Sequence, residues 1–291
     1  MSVLAELPGS VFAGGAFLLG LTIGSFLNVV IHRLPRGESL LHPGSHCPAC
    51  DAKIAPWDNV PLLAYLWLGG RCRRCGARIA LRYPLVELLT GLVFAAIAFR
   101  YGASAMTLVW LAFAAAMIAA AAIDFDHRII PDEISVGGLL AALAAVPAAQ
   151  WADGTAYWGA LQRSALGALL GAGALWSVGF AHARIAGALG RRFDHWPGEG
   201  ATPPRPGSLD YWIWFPGVGF GDVKLLAMIG AVLGPVGALE TILAASLAGL
   251  VLGVAWASVT RQWSTPFGFA PALAVGALLV ALSPVHLIPA F

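Results

Sequence analysis

The chain has 291 residues, of which 59% are hydrophobic and only 11% charged, with a net charge of +2 and a mean hydropathy of +0.78. A soluble chain carries about 25% charged residues to solvate its exterior, so composition excludes a soluble globular protein, a disordered chain, a collagen-like fibre and a disulfide-rich secreted scaffold. The cation surplus is too small to point to a nucleic-acid partner, and the placement of the 17 Lys and Arg matters more than their sum.

The chain therefore reads as an all-α polytopic membrane protein in a lipid bilayer. Helices satisfy every backbone group internally, so apolar runs of about 17–25 residues are the spanning units. Eight are expected, near 9–31, 84–100, 104–123, 134–150, 158–181, 216–233, 236–258 and 267–289. Seven is the main competing count, because the second and fourth are short and the sixth opens with glycines. The first run is read as a retained helix rather than a cleaved signal, since Glu6 and no Lys or Arg precede it.

Cations set the expected orientation. Arg33, Arg36, Lys53, Arg71, Arg73, Arg74, Arg78 and Arg82 lie between the first two spans, and Arg184, Arg191, Arg192 and Arg205 between the fifth and sixth. The positive-inside bias puts both segments in the cytoplasm. Alternation then leaves Arg100 and Arg163 near the opposite face, with Arg128, Lys224 and Arg261 inside and both termini outside. Three regions are expected: 1–33 as the first transmembrane helix, 34–83 as a cytoplasmic domain, and 84–291 as a membrane core. The core carries a Pro/Gly-rich loop at 182–215, too broken for a helix, whose Trp196, Trp212 and Trp214 are expected at the headgroup boundary. The small residues of 167–175 read as close helix packing.

Within 34–83, Cys47-Pro-Ala-Cys50 and Cys72-Arg-Arg-Cys75 form two C-x-x-C pairs with 21 residues between them. That spacing is close to zinc ribbons and knuckles, each pair offering two thiolates to one edge of a tetrahedron. Disulfides are disfavoured in the cytoplasm, and paired spacing argues against unrelated thiols. Four protein ligands close the coordination sphere, so the expected zinc is structural.

Acids within or beside spans need a reason. Glu87 is expected to pair with an arginine of the preceding loop. Asp124, in Ile123-Asp124-Phe125-Asp126-His127, ends the third span, and Asp222, in Gly219-Phe220-Gly221-Asp222, starts the sixth, at the same depth and on the same side. They are either a dyad sharing one proton, able to activate water and polarise a peptide carbonyl, or two solvated loop carboxylates. Gly219 and Gly221 remove side chains on both sides of Phe220, leaving room for an extended substrate backbone to approach.

At these residues the chain resembles a type IV prepilin peptidase, the bacterial branch of the membrane-embedded GxGD aspartic proteases. The resemblance rests on six stretches in the family's order: Gly24 to Pro35 (GSFLNVVIHRLP), the four cysteines, Arg82-Tyr83-Pro84 with Glu87, Asp124 to Asp132, Gly219 to Asp222 with Lys224, and Pro266-Phe267-Gly268. It implies Asp124 and Asp222 as the catalytic aspartates, with Asp126 a neighbour because the family's first aspartate stands seven residues before the proline. It implies the cysteines as zinc ligands. It further implies removal of basic leaders from prepilins and type II secretion pseudopilins at the cytoplasmic face of the bacterial inner membrane. Retention of the cysteine-bearing loop implies the bifunctional type, which N-methylates the new terminus with S-adenosylmethionine. No strand–glycine–helix unit for that donor is visible. A proton-coupled transporter is the alternative, and it calls for mid-bilayer carboxylates and two related halves.

Overall fold

The computed structural model describes residues 8–191, 193, 196, 202, 204–261 and 268–283. Pro266 and Phe267, Arg192, the ends of the last expected span and much of 192–203 lie outside the described residues. Among the described residues the helices are α1 (Gly9–Arg33), α2 (Leu63–Trp67), α3 (Arg82–Tyr101), α4 (Ala105–His127), α5 (Asp132–Ala152), α6 (Tyr157–Ala188), α7 (Asp210–Ile213), α8 (Phe220–Thr260) and α9 (Ala270–Leu282). No strand forms among the described residues, which show only isolated β-bridges.

Among the described residues six helices are long and apolar enough to cross a membrane: α1, α3, α4, α5, α6 and α8. The difference from eight arises in two places. The expected sixth and seventh spans are the arms of α8, broken where Gly234 takes φ 77°, ψ −178° ahead of Pro235. Proline cannot donate to the helix ladder and glycine tolerates the left-handed φ, so the pair ends one helix and starts another, and the two expected runs are two helices that meet at this kink. The last expected span is represented by α9, which has 13 residues. Local chemistry sets the other boundaries: Pro131 precedes α5, and Asp132 and Glu133 occupy its first turn, where the helix dipole favours acids.

The chain divides into two compact units, Met1–His127 and Arg128–Phe291. In the first, α1 packs on α3 through small residues. A Cβ on Gly20 would stand 2.7 Å from the Gly91 Cα, and one on Gly24 would stand 2.7 Å from the Glu87 Cα. Glycines four residues apart thus let the two backbones touch, the packing that replaces hydrophobic driving force in lipid. Polar closures accompany it: Asn28 Nδ2 donates to the Tyr83 carbonyl at 3.1 Å, and buried Thr90 returns its hydroxyl to the Val86 carbonyl at 2.7 Å.

The second unit is organised around α8, which packs on α5, α6 and α9. Gly167 of α6 and Gly230 of α8 meet backbone to backbone, so that a Cβ on Gly167 would lie 2.0 Å from the Gly230 oxygen. Gly171 meets Leu226 in the same way, and Ser164 Oγ donates to the Ala231 carbonyl at 2.7 Å. Leu225, Leu226 and Ile229 are fully enclosed. The expected packing role of 167–175 is what these contacts show.

Two expectations need correction. The 182–215 segment is not loop throughout, because α6 continues to Ala188 and α7 forms at Asp210–Ile213. Nor is Trp212 simply a boundary residue. It stacks on Phe180 (ring centroids 5.2 Å apart) and Trp176 (6.3 Å), while Trp176 Nε1 donates to its carbonyl at 2.8 Å. Arg184 lies 3.5 Å over the Tyr211 ring and donates to the Tyr211 carbonyl at 2.6 Å. Stacking and cation–π contact hold α7 against α6 where hydropathy alone reads as breakage.

Candidate active site and metal centre

Residues 46–53 and 71–78 build the same knuckle twice. In the first, the Cys47 N–H donates to the Ala52 carbonyl at 2.9 Å, Asp51 takes φ 52°, and His46 bridges Lys53. In the second, the Cys72 N–H donates to the Ala77 carbonyl at 2.8 Å, Gly76 takes φ 71°, and Arg71 bridges Arg78. Each turn presents its two sulfurs on one side. All four Sγ atoms lie within 4.8 Å of one another, with Cys47 and Cys75 3.9 Å apart. Ligand bonds of about 2.3 Å in a tetrahedron require edges of about 3.8 Å, so the quartet fits a metal ion and is far too open for disulfides.

Charge around the quartet is uneven. The backbone N–H groups of Cys75 and Arg74 point at the Cys72 sulfur and lower its pKa to about 6. At Cys50 the Ala52 backbone favours the thiolate, but desolvation and the neighbouring Cys75 and Cys47 sulfurs win, raising it to about 11. A bound metal cation would offset such mutual repulsion with its own positive charge and so favour the deprotonated thiols. Arg73 grips Asp58 with two hydrogen bonds, Nε to Oδ2 at 2.8 Å and Nη2 to Oδ1 at 2.6 Å. That fork ties the second knuckle to the intervening segment and holds the Asp58 carboxyl below the usual carboxylate range.

Glu87 departs from the arginine pairing expected for it. Its Oε2 accepts the Leu62 N–H at 2.8 Å, so a buried carboxylate satisfies the entry to α2, where Leu62 takes a positive φ of 60°. Arg82, five residues earlier, turns instead to α4. It pairs with Asp126, and its Nη2 donates to the Ala122 carbonyl at 3.3 Å.

That pairing separates the two aspartates at the end of α4. The Asp126 side chain is partly exposed and held by Arg82. Asp124, two residues earlier, faces the opposite way and is 5% exposed, beside fully enclosed Ile123. The first unit therefore buries Asp124 and neutralises Asp126 with a cation.

Asp222 belongs to the second unit. Gly219 caps α8 and Asp222 stands in its first turn, its N–H donating to the Gly219 carbonyl at 3.0 Å. The carboxylate folds back over the cap so closely that a Cβ on Gly219 would stand 3.1 Å from Asp222 Oδ2. A Cβ on Gly221 would meet Ile130 at 3.4 Å. The Gly219 hydrogen thus leaves room for the aspartate. Lys224 pairs with Asp132, linking the start of α8 to the start of α5. Sequence reasoning passed over Glu240, which is 2% exposed inside α8; an acid in an otherwise apolar span is the signal that marks it.

Residues 18–101 match the bacterial peptidase A24 N-terminal domain, and residues 111–254 match the type IV leader peptidase family. A prepilin leader peptidase/N-methyltransferase of Pseudomonas aeruginosa is 33% identical over 91% of this chain and 88% of its own. A type 4 prepilin-like proteins leader peptide-processing enzyme of Escherichia coli is 36% identical over 89% of each chain. A prepilin leader peptidase/N-methyltransferase of Neisseria gonorrhoeae is 32% identical over 91% of this chain and 88% of its own. No solved structure matches the chain.

Proposed function

Because the chain belongs to the type IV leader peptidase family, we propose that it is a membrane aspartic endopeptidase that cuts the leader from prepilins and pseudopilins and N-methylates the new terminus. The observation that carries the catalytic assignment is the contrast at the end of α4: Asp126 is neutralised by Arg82, whereas Asp124 is withdrawn from solvent. Asp124 and Asp222 are the proposed catalytic carboxylates. One takes a proton from water as the water attacks the scissile carbonyl, and the other donates a proton to the developing oxyanion. Collapse of the tetrahedral intermediate then breaks the C–N bond, and the leaving nitrogen takes up a proton.

Gly219 and Gly221, with no side chains of their own, are the proposed points at which an extended substrate backbone approaches Asp222. The 34–83 region is a structural domain whose four cysteines bind one zinc ion, with no open coordination position. The positive-inside pattern supports a cytoplasmic location for that domain and for the site, in the inner membrane of a bacterium. S-adenosylmethionine, when bound, supplies an electrophilic methyl group that passes to the amine while its sulfonium becomes a thioether and one proton is lost. The transporter alternative finds no support, since the relatives named above are processing enzymes.

The test is incubation of the purified protein with a prepilin carrying its leader, followed by mass analysis of the product N-terminus. Loss of the leader with one added methyl group is expected when the methyl donor is present, and loss of the leader alone without it. An unchanged mass overturns the enzyme assignment.

A further inference from the structure

Arg33, the last residue of α1, is 7% exposed. A buried guanidinium demands compensation, yet its partners are two neutral carbonyls. Nη1 donates to Ser39 at 3.0 Å, and Nη2 donates to Pro43 at 2.8 Å. Among the described residues no carboxylate lies within 4.0 Å of it. Arginine offers five donors in a planar fork suited to an oxyanion, and the two carbonyls engage only part of it.

A cleft of about 340 Å³ opens beside it, within the range that small ligands occupy. Thr22, Ser25 and Phe26 of α1 form one wall, and Ser45 and Asn59 stand on the other. The lining mixes hydroxyls, an amide and one half-exposed aromatic ring with aliphatic side chains such as Val29, Leu40 and Leu41, and holds no acid. The wall around Ser45 runs directly into Cys47, and the Ser45 carbonyl accepts the Ile54 N–H at 3.0 Å. The first knuckle thereby holds the cleft in shape. A larger cleft on α6, about 490 Å³, is lined almost wholly by apolar side chains such as Val178, Ile185 and Leu189 and includes no buried charge.

The methyl donor implied by N-methylation has an amino-acid end bearing a carboxylate and an adenine that stacks on aromatic rings. A dinucleotide-type strand–glycine–helix cradle is absent among the described residues, so the donor needs another site. We propose that the cleft between α1 and residues 40–61 binds S-adenosylmethionine, with Arg33 clasping its carboxylate. The assignment rests on the N-methyltransferase reading and adds to it the place and the chemistry of the donor.

The test uses the full zinc-loaded chain in neutral-lipid nanodiscs and two calorimetric titrants: S-adenosylhomocysteine and its decarboxylated analogue. The unsubstituted protein is expected to bind the decarboxylated compound ~10–100-fold more weakly, the scale of a lost charged hydrogen-bonding pair. Arg33→Gln should weaken S-adenosylhomocysteine by the same factor and leave the analogue unaffected, with zinc content as the check on folding. Equal affinity of the unsubstituted protein for both compounds overturns the assignment without recourse to any variant. If such a protein still methylates trimmed prepilin, the donor site is wrong and N-methylation stands. If it neither binds nor methylates, the methyltransferase reading fails as well. In phosphatidylglycerol nanodiscs, Arg33-dependent lipid retention with Arg33-independent binding of S-adenosylhomocysteine would make the cleft a lipid-phosphate site and likewise overturn the proposal.

Discussion

The segment between α1 and α3 and the contact between α6 and α8 are ordered by opposite means. Between residues 37 and 81, Cys47 and Ala64 are the buried apolar side chains among the described residues, too little to fold a segment of that length. Its order comes from knuckle hydrogen bonds, the Arg73–Asp58 fork, the Glu87 cap on Leu62 and a cysteine quartet shaped for a metal. The α6–α8 contact has almost no polar chemistry and depends on glycine backbones touching. One region can be undone by a chelator or a proton, the other only by adding atoms.

The sharpest break in that comparison is metal loss. The double substitution Cys72→Ser with Cys75→Ser should abolish zinc binding, a term worth ~10–16 kcal/mol in structural zinc peptides. Protease sites should appear between residues 38 and 81 while leader cleavage persists. One-for-one zinc retention in the double variant, measured by metal analysis, would contradict the ligand set. Next in size, Asp124→Asn and Asp222→Asn should each lower leader cleavage by ~10²–10⁴-fold, the usual worth of a positioned acid or base. Zinc content should not change. Asp126→Asn should cost far less, because that carboxylate answers Arg82; a larger loss at position 126 than at 124 would transfer the catalytic assignment.

Gly167→Leu or Gly230→Leu should destabilise the second unit by ~3 kcal/mol or more, since side-chain atoms would have to occupy backbone positions. Thermal unfolding measures the loss, and unchanged zinc stoichiometry would show that the first unit is spared. The smallest effect concerns acid. The Arg73 hydrogen bonds hold the Asp58 carboxyl below its ordinary range, so the folded value lies below the unfolded one. Their contribution is complete above the unfolded value, about 3.9, and disappears as pH falls through the folded value. Fluorine NMR of fluorotryptophan at position 67, whose ring neighbours Asp58, should report that transition. Asp58→Asn should remove it, and an unchanged transition in that variant would assign it elsewhere.

How far each region was legible from sequence follows from the same contrast. Paired C-x-x-C spacing is local, so the quartet was readable, as was the packing role of the small residues around Gly171. The destinations of individual polar groups were not, because they depend on which turn of a neighbouring helix arrives. Glu87 was expected on an arginine and found a backbone N–H, while Arg82 went to Asp126. Hydropathy separated the two runs on either side of Gly234 and Pro235, but not the non-helical kink that joins them. The stack of Trp176, Phe180 and Trp212 escaped notice because Trp212 lies 32 and 36 residues beyond the other two and only the fold aligns its plane with theirs. Asp124 was singled out over Asp126 by the family's spacing of seven residues to Pro131, and their unequal burial is a fact only the structure supplies.

The cap of α8 carries a further consequence. A Cβ at position 219 would stand 3.1 Å from the Asp222 carboxylate, closer than carbon and oxygen ordinarily rest, so even alanine there would push the carboxylate aside by a few tenths of an ångström. Helix α8 would still form, since neither its backbone pattern nor its enclosed leucines are touched. Such a lesion would be invisible to melting curves and metal analysis alike, yet it would re-aim the one acid that this helix end presents. The tolerance for error at Asp222 is thus the difference between a hydrogen atom and a methyl group on the residue three places before it.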